Sequence, residues 1–292
     1  MKFDTTQPSI QKISYTCLLR LQSVYDSLKT AEKKAADYLL AEPESFARDS
    51  IIEVAANAGC SEATLVRLGQ RLDFNGYAEL KAAVLKDSAE PVCLYEGIEL
   101  EDSPVTVMQK VFHSSMQSIE DTLKLMDSQA YERAVEVLLQ AEKIQFLGVG
   151  DAAMVASAGY HKFFRLGMNV YYSQDFDMGL MTASQLGPKG VLIAVSHSGN
   201  TKSTLQTLKC AKERGATIIS VTNAPLSSIG KNADILLLTA AFSHQMMGEA
   251  MIKRIPSLCI IESLYINAMM KITPERTKVF EDCTQALMIN KV

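Results

Sequence analysis

Apolar positions recur every three or four residues through the first part of the chain, and the pattern changes near residue 90. Up to about Asp87 the spacing predicts helices only. From about Lys143 onward, short β-rich runs alternate with helical ones. Between them, Lys86–Val105 (KDSAEPVCLYEGIELEDSPV) carries Pro91, Gly97, Pro104 and several acids, and reads as a linker. Helical spacing returns through Val107, Val111, Met116, Ile119 and Leu123, and a second helix is predicted over 128–141. The expected division is 1–88, an all-α unit; 89–127, a linker and connecting helix; and 128–292, an α/β unit.

In the first unit, Thr30 is placed to cap a helix through Ala31, Ala35, Tyr38 and Leu39 that ends before Pro43. Ser50 with Glu53 forms a capping box that opens IIEVAANA, and Gly59 ends it. Ser61 then caps SEATLVRLGQRL. Leu65, Leu68 and Leu72 mark its inward face, while Thr64, Arg67, Gln70 and Arg71 point elsewhere. A short helix, a glycine turn and a second helix with outward arginine and glutamine follow helix-turn-helix grammar. Such a helix fits the major groove of DNA, where Arg pairs with guanine and Gln with adenine. An all-helical interaction domain with a solvated polar face fits the spacing as well. Residues 1–88 hold eleven Lys and Arg against twelve Asp and Glu, so the unit is not basic as a whole.

The second unit reads as strands KIQFLGVG, MNVYYS, VLIAVS, TIISVT and ILLLT, with helices from about residue 151 to Arg165 and beginning near Thr201 and Leu226. Five strands with helical crossovers imply a doubly wound parallel sheet, whose ligands sit beyond the carboxyl ends of its strands. One such end is VLIAVSHSGNTKST, where Ser196, Ser198 and Thr201 cluster before a helix. Backbone N–H groups, the helix dipole and three hydroxyls there suit an anion, most simply a single phosphate. The plain alternative is that one hydroxyl caps the helix and the others are solvated.

At 292 residues, 48% hydrophobic and 21% charged, the chain is long enough for one large or two small domains with a buried core. The N-terminal MKFDTTQPSIQK lacks a signal-length apolar run, and no membrane span is predicted, so a cytoplasmic location is expected. Six dispersed cysteines without a CxxC pair and four scattered histidines indicate neither a disulfide framework nor a metal site; no cofactor is expected. A net charge of -4 argues against coating nucleic acid by bulk electrostatics, though not against a small local reading head.

AVSHSGNTKSTLQTLKCAKERGATIISVTN resembles the sugar-isomerase (SIS) domain signature, and SEATLVRLGQRLDFNGYAELKAAV resembles the N-terminal domain of the RpiR family of bacterial transcriptional regulators. The resemblance implies a regulator that binds operator DNA and senses a phosphorylated sugar, as a homodimer or homotetramer. It also implies that Ser61, Thr64, Arg67, Gln70 and Arg71 face DNA. Ser196, Ser198 and Thr201 would hold the phosphate beside His197. Gly199 would allow close backbone approach, and Gly148 and Gly150 would line the first strand-to-helix turn. Glu249 falls where SIS domains place an acid facing the ligand, before a helix expected over 249–270. The chain departs from the pattern at Ala152, where a hydroxyl is usual; Asp151 beside it is expected at the ligand, accepting from a sugar hydroxyl or amine, although it would repel a phosphate dianion. SIS domains also isomerise aldoses and ketoses, with Glu249 or His197 as the available base. That leaves an isomerase, or a sugar-phosphate adaptor acting on protein partners, as alternatives.

Overall fold

The computed structural model describes residues 15–84, 98–240, 245–246, 249–250 and 254–290. The chain divides into two compact units, one of residues 1–125 with 242–251 and the other of residues 126–241 with 252–292. The first part of the expected linker, to Gly97, lies outside the described residues, as do Cys93 and His244.

The first unit is helical: α1 (Tyr15–Val24), α2 (Thr30–Ala41), α3 (Pro43–Arg48), α4 (Ile51–Ala58), α5 (Glu62–Arg71), α6 (Tyr77–Val84) and α7 (Pro104–Leu125). Its core gathers Leu21, Leu39, Phe46, Val54, Leu65, Leu68, Leu72 and Leu80, all essentially inaccessible. Pro43 ends α2 as expected and opens α3 at its first turn, where the missing N–H costs nothing. Thr30 is the first residue of α2 rather than its cap. Lys29 holds that place, its N–H donating to Glu32 Oε2 at 2.9 Å.

The second unit runs α8 (Ser128–Gln140), β1 (Lys143–Leu147), α9 (Asp151–Arg165), β2 (Val170–Tyr172), α10 (Phe176–Ala183), β3 (Gly190–Val195), α11 (Lys202–Glu213), β4 (Thr217–Thr222) and β5 (Ile235–Leu238), then α12 (Arg254–Met269) and α13 (Pro274–Met288). A separate ribbon, grouped with the first unit, pairs β6 (Gln245–Met246) with β7 (Glu249–Ala250). The five-stranded sheet is parallel throughout, in the order β2-β1-β3-β4-β5. Alternation along each strand sorts its two faces. Ile144, Phe146, Val191, Ile193, Val195, Ile219 and Val221 pack with α8, α9 and α12. Leu147, Leu192, Ala194 and Ile218 pack under α10 and α11. All six residues of β3 are buried, which explains why it reads as an unbroken apolar run.

Two expectations need correction. No α-helix begins near Leu226; β4 reaches β5 through a loop and one 3₁₀ turn, Gly230–Asn232. The helix expected from Glu249 begins at Arg254, with Glu249 in β7. The short helix α10 was not foreseen; Asp175 caps it through the Met178 N–H. Among the described residues no single helix is long and apolar enough to cross a membrane.

Candidate functional site

Two sites emerge, one in each unit. In the first, the Ser50 N–H donates to Glu53 Oε2 at 2.8 Å, and the Ser50 hydroxyl accepts the Glu53 N–H at 3.3 Å, closing the capping box of α4. The backbone bond, and then the Ser50 hydroxyl donating to the same Oε2 at 2.8 Å, hold the Glu53 carboxyl below its ordinary value. Gly59 ends α4 in the left-handed region at φ 64°, and the Cys60 N–H returns to Ala55 O. Ser61 turns the chain into α5, its hydroxyl 2.9 Å from that of Thr64.

Helix α2 packs on both α4 and α5, and α6 closes the group. Gly69 is required there, because a Cβ would lie 2.6 Å from the Gly76 backbone. Leu65, Leu68 and Leu72 face inward as the spacing predicts. The outward set is smaller than expected. Ser61, Arg67 and Gln70 are exposed, but Thr64 is 2% exposed. Arg71 turns to α2, its Nε 3.3 Å from Oε1 of Glu32, an acid that is itself 3% exposed. Thr64 and Arg71 therefore serve the inside of the unit, where a hydroxyl and a buried carboxylate need partners. Glu32 escaped sequence reasoning because nothing in its own helix pattern marks a buried acid.

In the second unit, α9 leads from β1 outward to β2, while the chain after α10 continues from β3 toward β5. The order of strands reverses between β1 and β3. At such a switch point a crevice opens beyond the strand ends, flanked by the N-termini of α9 and α11. Gly150, at φ 63°, is the N-cap of α9, and a side chain at Gly148 would overlap the Ala152 carbonyl. Both glycines thus serve the tight turn. Asp151 opens α9, and Arg254 Nη1 stands 3.7 Å from its Oδ1. The cation offsets the charge that would repel an anion. Arg254 was missed because the helix it begins was expected to start earlier.

The loop after β3 is fixed on every side. Ser196 N–H donates to Val221 O, and His197 O accepts from Asn223 N and from Thr222 Oγ1. Gly199 O accepts from Ile229 N, and Asn200 Oδ1 from Ser228 N. Gly199 sits at φ 64°, and a Cβ there would overlap the Ser227 hydroxyl. Its small size is needed by the neighbouring loop. Ser196 is buried, with its Oγ 3.4 Å from Thr201 Oγ1. Ser198 is exposed, its Oγ accepting the Asn200 N–H at 3.4 Å. Thr201 is the N-cap of α11, yet its hydroxyl makes no capping bond. The first-turn N–H groups of α11 have no intrahelical acceptor. Neither hydroxyl is spent on capping, and both stay at the mouth of the helix. Thr204 Oγ1 and Ser220 Oγ lie buried below, without a hydrogen-bond partner among the described residues. Glu249 belongs to the β6–β7 ribbon, and its side chain is outside the described set.

Comparison with known proteins matches residues 137–268 to the SIS domain family and residues 15–91 to the helix-turn-helix domain, rpiR family. An HTH-type transcriptional regulator of Thermotoga maritima is 32% identical over 84% of this chain and 89% of its own. The HTH-type transcriptional regulator HexR of Pseudomonas aeruginosa is 32% identical over 71% of this chain and 73% of its own. The structure of Vibrio vulnificus NanR complexed with ManNAc-6P superposes with a TM-score of 0.60 at 25% identity, covering 94% of this chain and 99% of that one. The chain belongs to the RpiR family of helix-turn-helix transcriptional regulators that carry a SIS domain.

Proposed function

We propose that this protein controls genes of sugar catabolism by binding operator DNA through α5, with an affinity set by a phosphorylated sugar in the β1/β3 crevice. The carrying observation is that Ser198 and Thr201 stand at the N-terminus of α11 with hydroxyls that cap nothing. A phosphate there would accept from those hydroxyls and from the first-turn N–H groups. The Arg254 cation, paired with Asp151, lies at the other lip of the same crevice. Ser196, too deep for direct exposure, would orient Thr201. Arg67 and Gln70 would read base edges, with Ser61 on phosphate. NanR, which was solved with a sugar phosphate, supports that class of ligand.

In this reading 1–88 is the DNA-binding domain, 89–127 connects, and 128–292 senses; the protein works in the cytoplasm as a homodimer or homotetramer. It is not an enzyme, since a reading helix serves no purpose in an isomerase. His197 contributes its carbonyl to the loop framework.

The test is a pair of titrations at fixed salt, operator with and without a panel of hexose and aminosugar phosphates, and each sugar phosphate with and without operator. Linkage requires both affinities to change by the same factor, and at least several-fold is expected. Ser198→Ala should weaken the response to ligand and leave operator binding by the free protein intact. Binding of both ligands with no mutual effect would end the regulator mechanism, and turnover of any sugar phosphate would restore the isomerase.

A further inference from the structure

Helix α5 ends on a conformation that an ordinary residue resists. The Phe74 N–H returns to Gly69 O at 3.0 Å and the Asp73 N–H to Gln70 O at 3.3 Å, which closes the last turn as a Schellman motif. That motif puts Asp73 in the left-handed region at φ 59°, where glycine is usual and a Cβ crowds the next carbonyl. Among the described residues no other non-glycine residue has a positive φ. An acid at this place also meets the negative end of the helix dipole. The motif supplies no donor to the carbonyls of Leu72 and Asp73. Both accept from one remote side chain: Arg20 Nη1 donates to Leu72 O at 3.1 Å and to Asp73 O at 3.3 Å. The same guanidinium lies over the Phe74 ring, 4.8 Å from its centroid. Arg20 stands on α1, which buries Cys17, Leu21 and Val24 and packs against both α6 and α7.

We infer that Arg20 is a positioning residue for DNA reading: it clamps the C-terminal end of α5 to α1 and so fixes the tilt at which Arg67 and Gln70 meet base edges. The middle of α5 is held by Leu65, Leu68 and the close approach of Gly69 to Gly76. Arg71 ties the last turn to α2 on one side. Arg20 is the tie to α1, and it grips the backbone itself, so the two together fix a direction that neither fixes alone. Arginine suits the post because one planar cation takes two carbonyls, a ring face and the charge of Asp73 at once. Gln70 lies in that last turn, and a bidentate pair with a base edge tolerates less displacement than a contact with phosphate. The inference rests on the reading of α5 as the helix that meets DNA.

The probe is the duplex that the wild-type protein selects from a random pool, each base pair then being substituted singly and titrated at fixed salt. Wild type should lose roughly tenfold at the base pairs that Arg67→Ala or Gln70→Ala no longer distinguishes. Full-length Arg20→Met keeps a long apolar stem but no donor or charge, and should distinguish the same substitutions by no more than about threefold. Its affinity for an unrelated duplex and its salt slope should stay those of wild type, which a merely unfolded fraction would not allow. Arg20→Lys restores a donor and the charge and should recover part of the discrimination. Adding Asp73→Gly to Arg20→Met relieves the left-handed strain and returns stability in urea. Discrimination should stay low in that double variant. Discrimination that returns with stability makes Arg20 a stabilising residue only and overturns the inference, as does an Arg20→Met protein that reads the selected duplex like wild type. A wild-type protein that selects no duplex removes the reading of α5 itself and the inference with it, so the two failures are told apart.

Discussion

Replacing Arg71 with alanine separates two uses of one cation. Its Nε bonds to Glu32 Oε1 at 3.3 Å, and Glu32 otherwise holds only the Lys29 N–H at 2.9 Å among its described bonds. The Glu32 side chain is 4% exposed and that of Arg71 26%. Removing one partner of a fully buried pair costs about 3–5 kcal/mol, mostly from the charge left behind. Because Arg71 is a quarter open, water reaches the gap, and a loss of about 2 kcal/mol is expected. Native-state hydrogen exchange at peptides from α2 and α5 would read that loss directly, alongside operator titration well below the unfolding temperature. Arg67→Ala should do the opposite, leaving exchange unchanged and weakening the operator by roughly 1–3 kcal/mol. Glu32→Gln added to Arg71→Ala should recover part of the stability, since a neutral amide does not need the cation, and that coupling is the signature of the pair. If Arg71→Ala exchanges like wild type and loses the operator, Arg71 is in the groove and the internal role assigned to it is wrong.

Gly199→Ala should destabilise the second unit by roughly 2 kcal/mol or more, combining left-handed backbone strain with overlap on Ser227. Gly187→Ala, at φ 68° with nothing within 4 Å of the added carbon, bears the strain alone and should cost only about 1 kcal/mol; equal losses in urea unfolding would remove the packing role of Gly199. The Glu53 carboxyl is lowered in the folded state, so its contribution to stability is complete above its ordinary value of 4.5 and fades as pH falls through the lower folded value. The stability difference between wild type and Glu53→Gln should therefore be constant near neutrality and shrink in that acid window; a difference independent of pH down to full protonation would contradict the capping geometry.

Local grammar explains what was legible. The Ser50–Glu53 box, the Gly59 stop and the strand at Val191–Val195 depend on residues within a few positions of one another, and each was placed correctly. The hydroxyl loop was legible for the same reason, a strand running straight into a helix. What stayed hidden depends on partners remote in sequence. Arg71 looks like any outward arginine until Glu32, 39 residues earlier, is seen beneath it. Gly199 also answers to Ser227, which lies against it from a later loop. Arg254 belongs to the crevice only through Asp151, more than a hundred residues before it.

Helix α7 shows a different limit. Apolar periodicity identifies a face that must leave water, but it does not say which body covers that face. The expected set, Val107, Val111, Met116, Ile119 and Leu123, mixed two faces of the helix. Val107 and Val111 lie half-buried on the inward side with Ser114 and Ser118, while the other three belong to the outward stripe. Both sides hold enough apolar residues to pass as a core face, and only their sorting by burial separates them. The inner face of Val105–Leu123 is set by residues remote in the chain, so its sorting became readable only once burial had been seen.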